Sequence, residues 1–198
     1  MPVVSGRRSL ARLAVLGVAV AALTACAPGS PRDGGRAGTG RGSIPADNAT
    51  RASLLPVFAD ALPDFSPDRY RRLLGELRGT PVLVNMWGSW CPPCQMEAPM
   101  LASAHDAYGD RVQFLGIDIE DSVGSARGFM RTYGWTFPSI RDPVFPSSFR
   151  RALGFTGQPN TLFYDASGRL VSSWQGPLTK ETLRSGLDAI LGDDSDSG

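Results

Sequence analysis

Two cysteines separated by two prolines, Cys91-Pro92-Pro93-Cys94, follow an apolar run, Val82-Leu83-Val84-Asn85-Met86-Trp87, and open an amphipathic stretch. A helix beginning at the first cysteine would present it with unpaired backbone N–H groups and the positive end of the helix dipole. A thiolate there is stabilised, its pKa falls, and the sulfur becomes a nucleophile at neutral pH. The second cysteine lies one turn into the helix, close enough to resolve a mixed disulfide. Pro93 is tolerated in a first helical turn, and Gly88 suits the tight approach to it. The chemistry this pattern offers is thiol–disulfide exchange, carried by Cys91 and Cys94.

Composition sets the frame around that pair. The chain has 198 residues, 42% of them hydrophobic, and a formal net charge of +1. This suits one globular domain with additional segments, and the near-neutral balance argues against nucleic acid as a partner. Arg7, Arg8 and Arg12 precede an apolar run from Leu13 to Ala22, too short for a stable transmembrane helix. Leu23-Thr24-Ala25-Cys26 then resembles the lipobox of bacterial lipoproteins, in which the cysteine is acylated and becomes the new N-terminus. The twin arginine Arg7-Arg8 fits the folded-export signal only weakly. Residues 1–25 are expected to be a lipoprotein signal peptide and 26–52 a lipidated cysteine with a Gly-, Pro- and Arg-rich tether that cannot bury enough surface to order itself. Residues 53–192 form the domain, and 193–198 an acidic disordered tail. The lipid would hold the domain on the extracytoplasmic side of the cell membrane. Of 3 cysteines, assigning Cys26 to lipid leaves one redox pair and no orphan thiol.

Within the domain, Ser66-Pro67-Asp68 marks a helix start, with Tyr70, Leu73, Leu74 and Leu77 as its apolar stripe. A buried strand is expected over 82–87, and a second over 112–119. The helix after the cysteines is expected to turn Met96, Met100, Ala104 and Tyr108 to the core and to kink at Pro99. Further elements are a helix over 122–133, a short strand over 137–140 and a helical turn over 147–153. A hairpin of 160–164 and 169–174 closes around Asp165-Ala166-Ser167-Gly168, and a last helix is capped by Thr179. Alternating strands and helices ending in an antiparallel hairpin make an α/β layer fold.

The stretch from Val84 to Pro99, with Trp90-Cys91-Pro92-Pro93-Cys94 and a proline five residues beyond, resembles the active-site strand and helix of thioredoxin-like proteins. Gly157-Gln158-Pro159-Asn160-Thr161 resembles their second signature, a cis-proline loop that packs against the disulfide and binds substrate backbone. The resemblance implies a thioredoxin-like fold, a central mixed sheet flanked by helices, with an extra helix–strand insertion before the cis-Pro loop. Two departures from plain thioredoxin narrow it. Asn85 stands where thioredoxin has a buried acid, and 122–149 forms the insertion. Both are similar to TlpA-like and ResA-like extracytoplasmic thiol–disulfide oxidoreductases, in which an acid three residues after the second cysteine tunes the site; Glu97 matches it. Read from the residues alone, Glu97 is equally a solvated first-turn acid.

The resemblance further implies that Trp90, Pro92, Pro93, Gln158 and Pro159 meet the substrate. Trp87 is read as a packing residue, Asn85 as packing in preference to a hydrogen bond with backbone near the site, and His105 as a surface or half-buried side chain. Cys91 is expected to be the attacking sulfur, being nearer the helix N-terminus and more exposed. No glycine fingerprint follows a strand, so neither nicotinamide nor flavin is expected, nor a metal; the redox-active disulfide is the whole cofactor. Electrons would pass to or from a membrane thiol transporter, and clients would be protein disulfides or thiols such as the haem-attachment cysteines of apocytochrome c. A monomer is expected, since no apolar stripe is left over. The reductase direction is favoured over a disulfide-forming oxidase. A peroxiredoxin-like thiol peroxidase and a metal-carrying lipoprotein are the readings from other classes.

Overall fold

The structure, a computed structural model, describes residues 53–192. The signal peptide, Cys26, the tether and the acidic tail expected from sequence lie outside the described residues.

Five strands form one sheet: β1 (Val82–Trp87), β2 (Gln113–Ile119), β3 (Ser139–Asp142), β4 (Asn160–Tyr164) and β5 (Leu170–Gln175). Their order is β3-β2-β1-β4-β5. β1, β2 and β3 run parallel, while β4 and β5 are antiparallel to their neighbours. Five helices flank the sheet: α1 (Pro67–Glu76), α2 (Pro92–Tyr108), α3 (Val123–Thr132), α4 (Ser148–Leu153) and α5 (Lys180–Leu191). This is the mixed sheet of the expected thioredoxin-like fold, with α3 and β3 forming the insertion. Among the described residues, no helix is long and apolar enough to cross a membrane.

β1 is the central strand and is buried along its whole length, which is why it reads as an uninterrupted apolar run. Side chains alternate across it. Val82, Val84 and Met86 join one core with Tyr70 and Leu73 of α1 and Phe149 of α4. Leu83 and Trp87 join the other with Leu101 of α2, Phe129 of α3 and Leu187 of α5. The second core lies beneath the cysteines. There Trp87 stacks on Phe129 at 4.5 Å between ring centroids and meets Trp135 edge-on at 5.1 Å. Trp135 Nε1 donates to the Ala98 carbonyl at 3.0 Å, so the insertion is tied to α2 itself.

The bounds of three strands and one helix face differ from the sequence expectation. β3 begins at Ser139, two residues later than expected, because Pro138 has no N–H for the ladder and contributes only its carbonyl, to Gly116 N–H at 2.9 Å. The second hairpin strand is Leu170–Gln175, and the 112–119 strand starts at Gln113. On α2, Met96 is 77% exposed, and Met100 and Tyr108 are only half-buried. The buried face is Cys94, Glu97, Ala98, Leu101 and Ala104, which a stripe counted on apolar residues misses because a carboxylate belongs to it. α2 runs unbroken through Pro99.

Candidate active site

A short loop carries the chain from the end of β1 to the first turn of α2. Gly88 is required there by space: a Cβ would come within 2.8 Å of Trp90 Nε1 and 3.2 Å of the Ile119 carbonyl. Ser89 N–H donates to Asp121 Oδ2 at 2.7 Å, Gln95 Nε2 donates to the Ser89 carbonyl at 2.7 Å, and Cys91 N–H closes on the Gly88 carbonyl at 3.1 Å. The loop is therefore fixed from both sides before it reaches the cysteine.

Cys91 is the N-cap of α2. In the other four helices that position holds a hydroxyl, from Ser66, Ser122, Ser147 and Thr179, each accepting a backbone N–H from the first turn. In α2 the acceptor is sulfur: Cys94 N–H points at Cys91 Sγ at 3.3 Å. An N–H and the helix dipole thus favour negative charge on Cys91 once the disulfide opens. Pro92 and Pro93 occupy the first two helical positions, where a missing N–H costs nothing. Cys91 and Cys94 are joined in a disulfide, with Cα atoms 5.3 Å apart. Both residues are buried, at 3% and 1% exposed, so position at the helix end and not exposure distinguishes the two sulfurs.

Glu97, one turn beyond Cys94, is 3% exposed. The solvated-acid reading is thereby excluded. Its Oε1 accepts from Asn85 Nδ2 at 2.8 Å and its Oε2 from Leu178 N–H at 2.8 Å. Burial nevertheless dominates over these two hydrogen bonds and lifts its pKa from 4.5 to about 7. Asn85, read from sequence as packing, has a different part: Nδ2 also reaches Thr161 Oγ1 at 3.1 Å, linking the carboxyl to β4. The place that is acidic in thioredoxin is here a neutral donor that orients an acid on the neighbouring helix.

β4 begins beside this site, since Met86 pairs with Asn160. The preceding peptide, Gln158-Pro159, is cis, as the resemblance implies, with Pro159 buried and Gln158 half-buried. Trp90 is 48% exposed and Pro92 is exposed, so both are available to a partner; Pro93 is half-buried. Trp87 is fully buried core, and His105 is half-buried against Phe114 and Phe137. Among the described residues, no cluster of three or more His, Cys, Asp or Glu could hold a metal ion.

The family model for AhpC/TSA matches residues 59–173, from before α1 into β5 and so across Cys91, Cys94, Glu97 and the cis-proline loop. The chain belongs to the AhpC/TSA family. Among curated relatives of this AhpC/TSA-family chain, it is similar to the thiol:disulfide interchange protein DsbE homolog of Paracoccus denitrificans, 38% identical over 102 residues, covering 50% of this chain and 52% of that protein. It is similar to HelX of Rhodobacter capsulatus, also a thiol:disulfide interchange protein, at 30% identity over 58% of this chain and 62% of that one. The chain thus spans about half to three fifths of these two relatives' length. The thiol-disulfide oxidoreductase ResA of Geobacillus thermodenitrificans is 29% identical over 70% of this chain and 76% of its own. Among solved structures, a secreted Mycobacterium tuberculosis disulfide oxidoreductase homologous to E. coli DsbE superposes with a TM-score of 0.53 at 26% identity, over 59% of this chain and 86% of that one. A DsbF homologue from Corynebacterium diphtheriae gives 0.52 at 30% identity, over 59% and 76%.

Two residues of this family member escaped the sequence reading. Asp118, in register with Trp87, is fully buried, and among the described residues neither carboxyl oxygen has a hydrogen-bond donor. Burial first, then the nearby charge of Asp121, lifts its pKa from 3.8 to about 8, while Arg141 opposes the shift. Glu120 adopts a left-handed backbone, φ 53°, beside the site. An acid in a strand whose neighbours are all apolar was the available signal for Asp118; Glu120 had none, because its partners are remote in sequence.

Proposed function

We propose that the chain is an extracytoplasmic thiol–disulfide oxidoreductase that reduces protein disulfides through Cys91 and Cys94, held at the membrane by lipid on Cys26. The observation that carries the reading is the sulfur of Cys91 at the N-cap of α2, paired with Cys94 and backed one turn on by the buried carboxyl of Glu97. The relatives, interchange proteins and oxidoreductases by name, support the reaction class.

In the reduced protein, the Cys91 thiolate attacks one sulfur of a client disulfide; that bond breaks, a Cys91–client disulfide forms, and the first client thiolate leaves. The Cys94 thiol gives its proton to Glu97, and the thiolate attacks Cys91 Sγ. The mixed disulfide breaks, Cys91–Cys94 re-forms, and the second client thiolate takes the proton back. Two electrons have passed from the cysteine pair to the client. A carboxyl with a pKa of about 7 can both take and return a proton at neutral pH. Trp90, Pro92, Gln158 and Pro159 are the proposed client-facing residues. A membrane thiol transporter is the proposed electron donor, and the haem-attachment cysteines of apocytochrome c the proposed clients.

The equilibrium reduction potential of Cys91–Cys94, followed by tryptophan fluorescence in a glutathione or dithiothreitol buffer series, tests the direction. A value at or below about −250 mV is expected of a reductase, whereas about −120 mV would make the protein a disulfide-forming oxidase. Rapid peroxide turnover would favour a thiol peroxidase instead.

A further inference from the structure

In the loop that leaves β2, one residue meets Trp90, Ser147 and Arg150 of α4. Glu120 is a non-glycine residue in the left-handed region, an unfavourable conformation that persists where surrounding contacts over-determine it. The contacts here are specific. The Glu120 carbonyl accepts from Trp90 Nε1 at 3.0 Å. Its carboxylate accepts from Ser147 N–H at 2.9 Å and pairs with Arg150 Nη2, the Glu120 side chain being only 10% exposed and that of Arg150 23%. Arg150 Nη1 in turn reaches Gln158 Oε1 at 3.5 Å, on the cis-proline loop.

The middle loop, 143–147, is pinned independently from below. Asp142 Oδ1 accepts from Val144 N–H at 3.1 Å and Ser148 Oγ at 2.9 Å; its Oδ2 accepts from Ser147 Oγ at 2.7 Å and Phe149 N–H at 3.1 Å. What that loop displays is apolar: Phe145 is 80% exposed and Val144 42%, while Trp90, joined to the same network through the Glu120 carbonyl, is 48% exposed. Two of these apolar side chains stand on a loop braced by hydrogen bonds and the third on the residue before Cys91, so all three belong to segments joined through Glu120.

We propose that Glu120 is a positioning residue for protein clients: through its carbonyl and carboxylate it joins the Trp90 loop, the 143–147 loop and, by way of Arg150, the Gln158–Pro159 loop into one rigid rim beside the redox pair. The occupant is the polypeptide flanking the reacting cysteine of a client, with apolar residues seated against Trp90 and Phe145. The rim is continuous with the sulfur that must touch the same client. A pre-ordered rim lowers the ordering cost of docking, so its loss weakens client binding and leaves the sulfur chemistry alone. The inference rests on Cys91–Cys94 being the exchange site.

Glu120→Gly separates the two contributions of the residue, because glycine keeps the left-handed backbone and removes the carboxylate. Glu120→Gln keeps an acceptor for Ser147 N–H and loses the charge facing Arg150. Steady-state reduction is measured with the full-length chain, with dithiothreitol as the electron source and its uncatalysed rate subtracted, using insulin as the protein disulfide and hydroxyethyl disulfide as the small one. KM for insulin is expected to rise about tenfold in Glu120→Gly, as for one lost charge-assisted hydrogen bond, and by less in Glu120→Gln. The insulin kcat, the small-disulfide rate and the reduction potential stay at wild-type values. Equal insulin kinetics in wild type and Glu120→Gly would overturn the inference, and so would a proportional loss on both substrates. A wild-type protein inactive on both disulfides would overturn the exchange-site reading and this inference with it.

Discussion

Glu97 has two hydrogen-bond donors and still titrates near neutrality, because removing a carboxylate from water outweighs what Asn85 and Leu178 return to it. If it carries the proton of Cys94, the pH profile of kcat/KM in wild type bends near pH 7. Glu97→Gln is expected to abolish that bend and to lower the neutral-pH rate by about a hundredfold, the usual reach of general acid–base assistance. Retention of both bend and rate would remove Glu97 from the mechanism. The two sulfurs are separable too. Cys94→Ser leaves Cys91 to form the mixed disulfide with no resolving partner, so mass spectrometry after mixing with oxidised insulin should find a stable covalent adduct; Cys91→Ser should form none. At this scale the cysteines were legible because their spacing alone states their chemistry. Glu97 was legible only as one of two readings, since i+3 from Cys94 fixes a helix face but not whether that face meets water. Asn85 was misread because its partners, Glu97 and Thr161, lie 12 and 76 residues away.

Elements meet closely on the α2 side of the sheet, and two glycines mark where. A Cβ on Gly186 of α5 would lie 2.3 Å from Phe163 Cζ on β4. One on Gly116 of β2 would lie 2.2 Å from Ser139 Oγ and 2.8 Å from Trp87 Nε1. Neither neighbour is the free end of a flexible chain, so Gly186→Ala is expected to destabilise the fold by roughly 1–3 kcal/mol, read as a lower urea midpoint at unchanged m-value. An unchanged midpoint would mean that α5 shifts away from the sheet without penalty. Helix starts at this scale came directly from hydroxyl caps and proline, which are local signals. The face of α2 did not. Counting apolar residues at four-residue spacing chose Met96, 77% exposed, over Glu97, because burial of a polar side chain is decided by what packs above it.

Across the whole molecule, two buried carboxyls face the same sheet end, and together they set how stability responds to pH. Both have folded-state pKa values above the ordinary ones, Glu97 from 4.5 to about 7 and Asp118 from 3.8 to about 8. Their uncharged forms fit the fold, so the stability they allow is fully present below about pH 4 and is lost as pH rises through 7 and then 8. Between pH 5 and pH 9 the melting temperature of the wild-type protein should therefore fall. Asp118→Asn should flatten that fall, matching wild type near pH 4 and exceeding it at pH 9; equal slopes would mean Asp118 is hydrated in solution. Asp121, Asp142 and Arg141 also act on this group, and the first two oppose its ionisation. The Cys-Pro-Pro-Cys spacing, the strand that leads into it, the helix starts and the order of layers are legible along the chain, because each is written in spacings of a few residues. The burial of Glu97 and Asp118, and the meeting of Trp90, Ser147 and Arg150 at Glu120, come from the fold. Those properties arise where β1, β2, α2 and α4 converge, and a chain read residue by residue carries no distance between segments 30 or 80 positions apart.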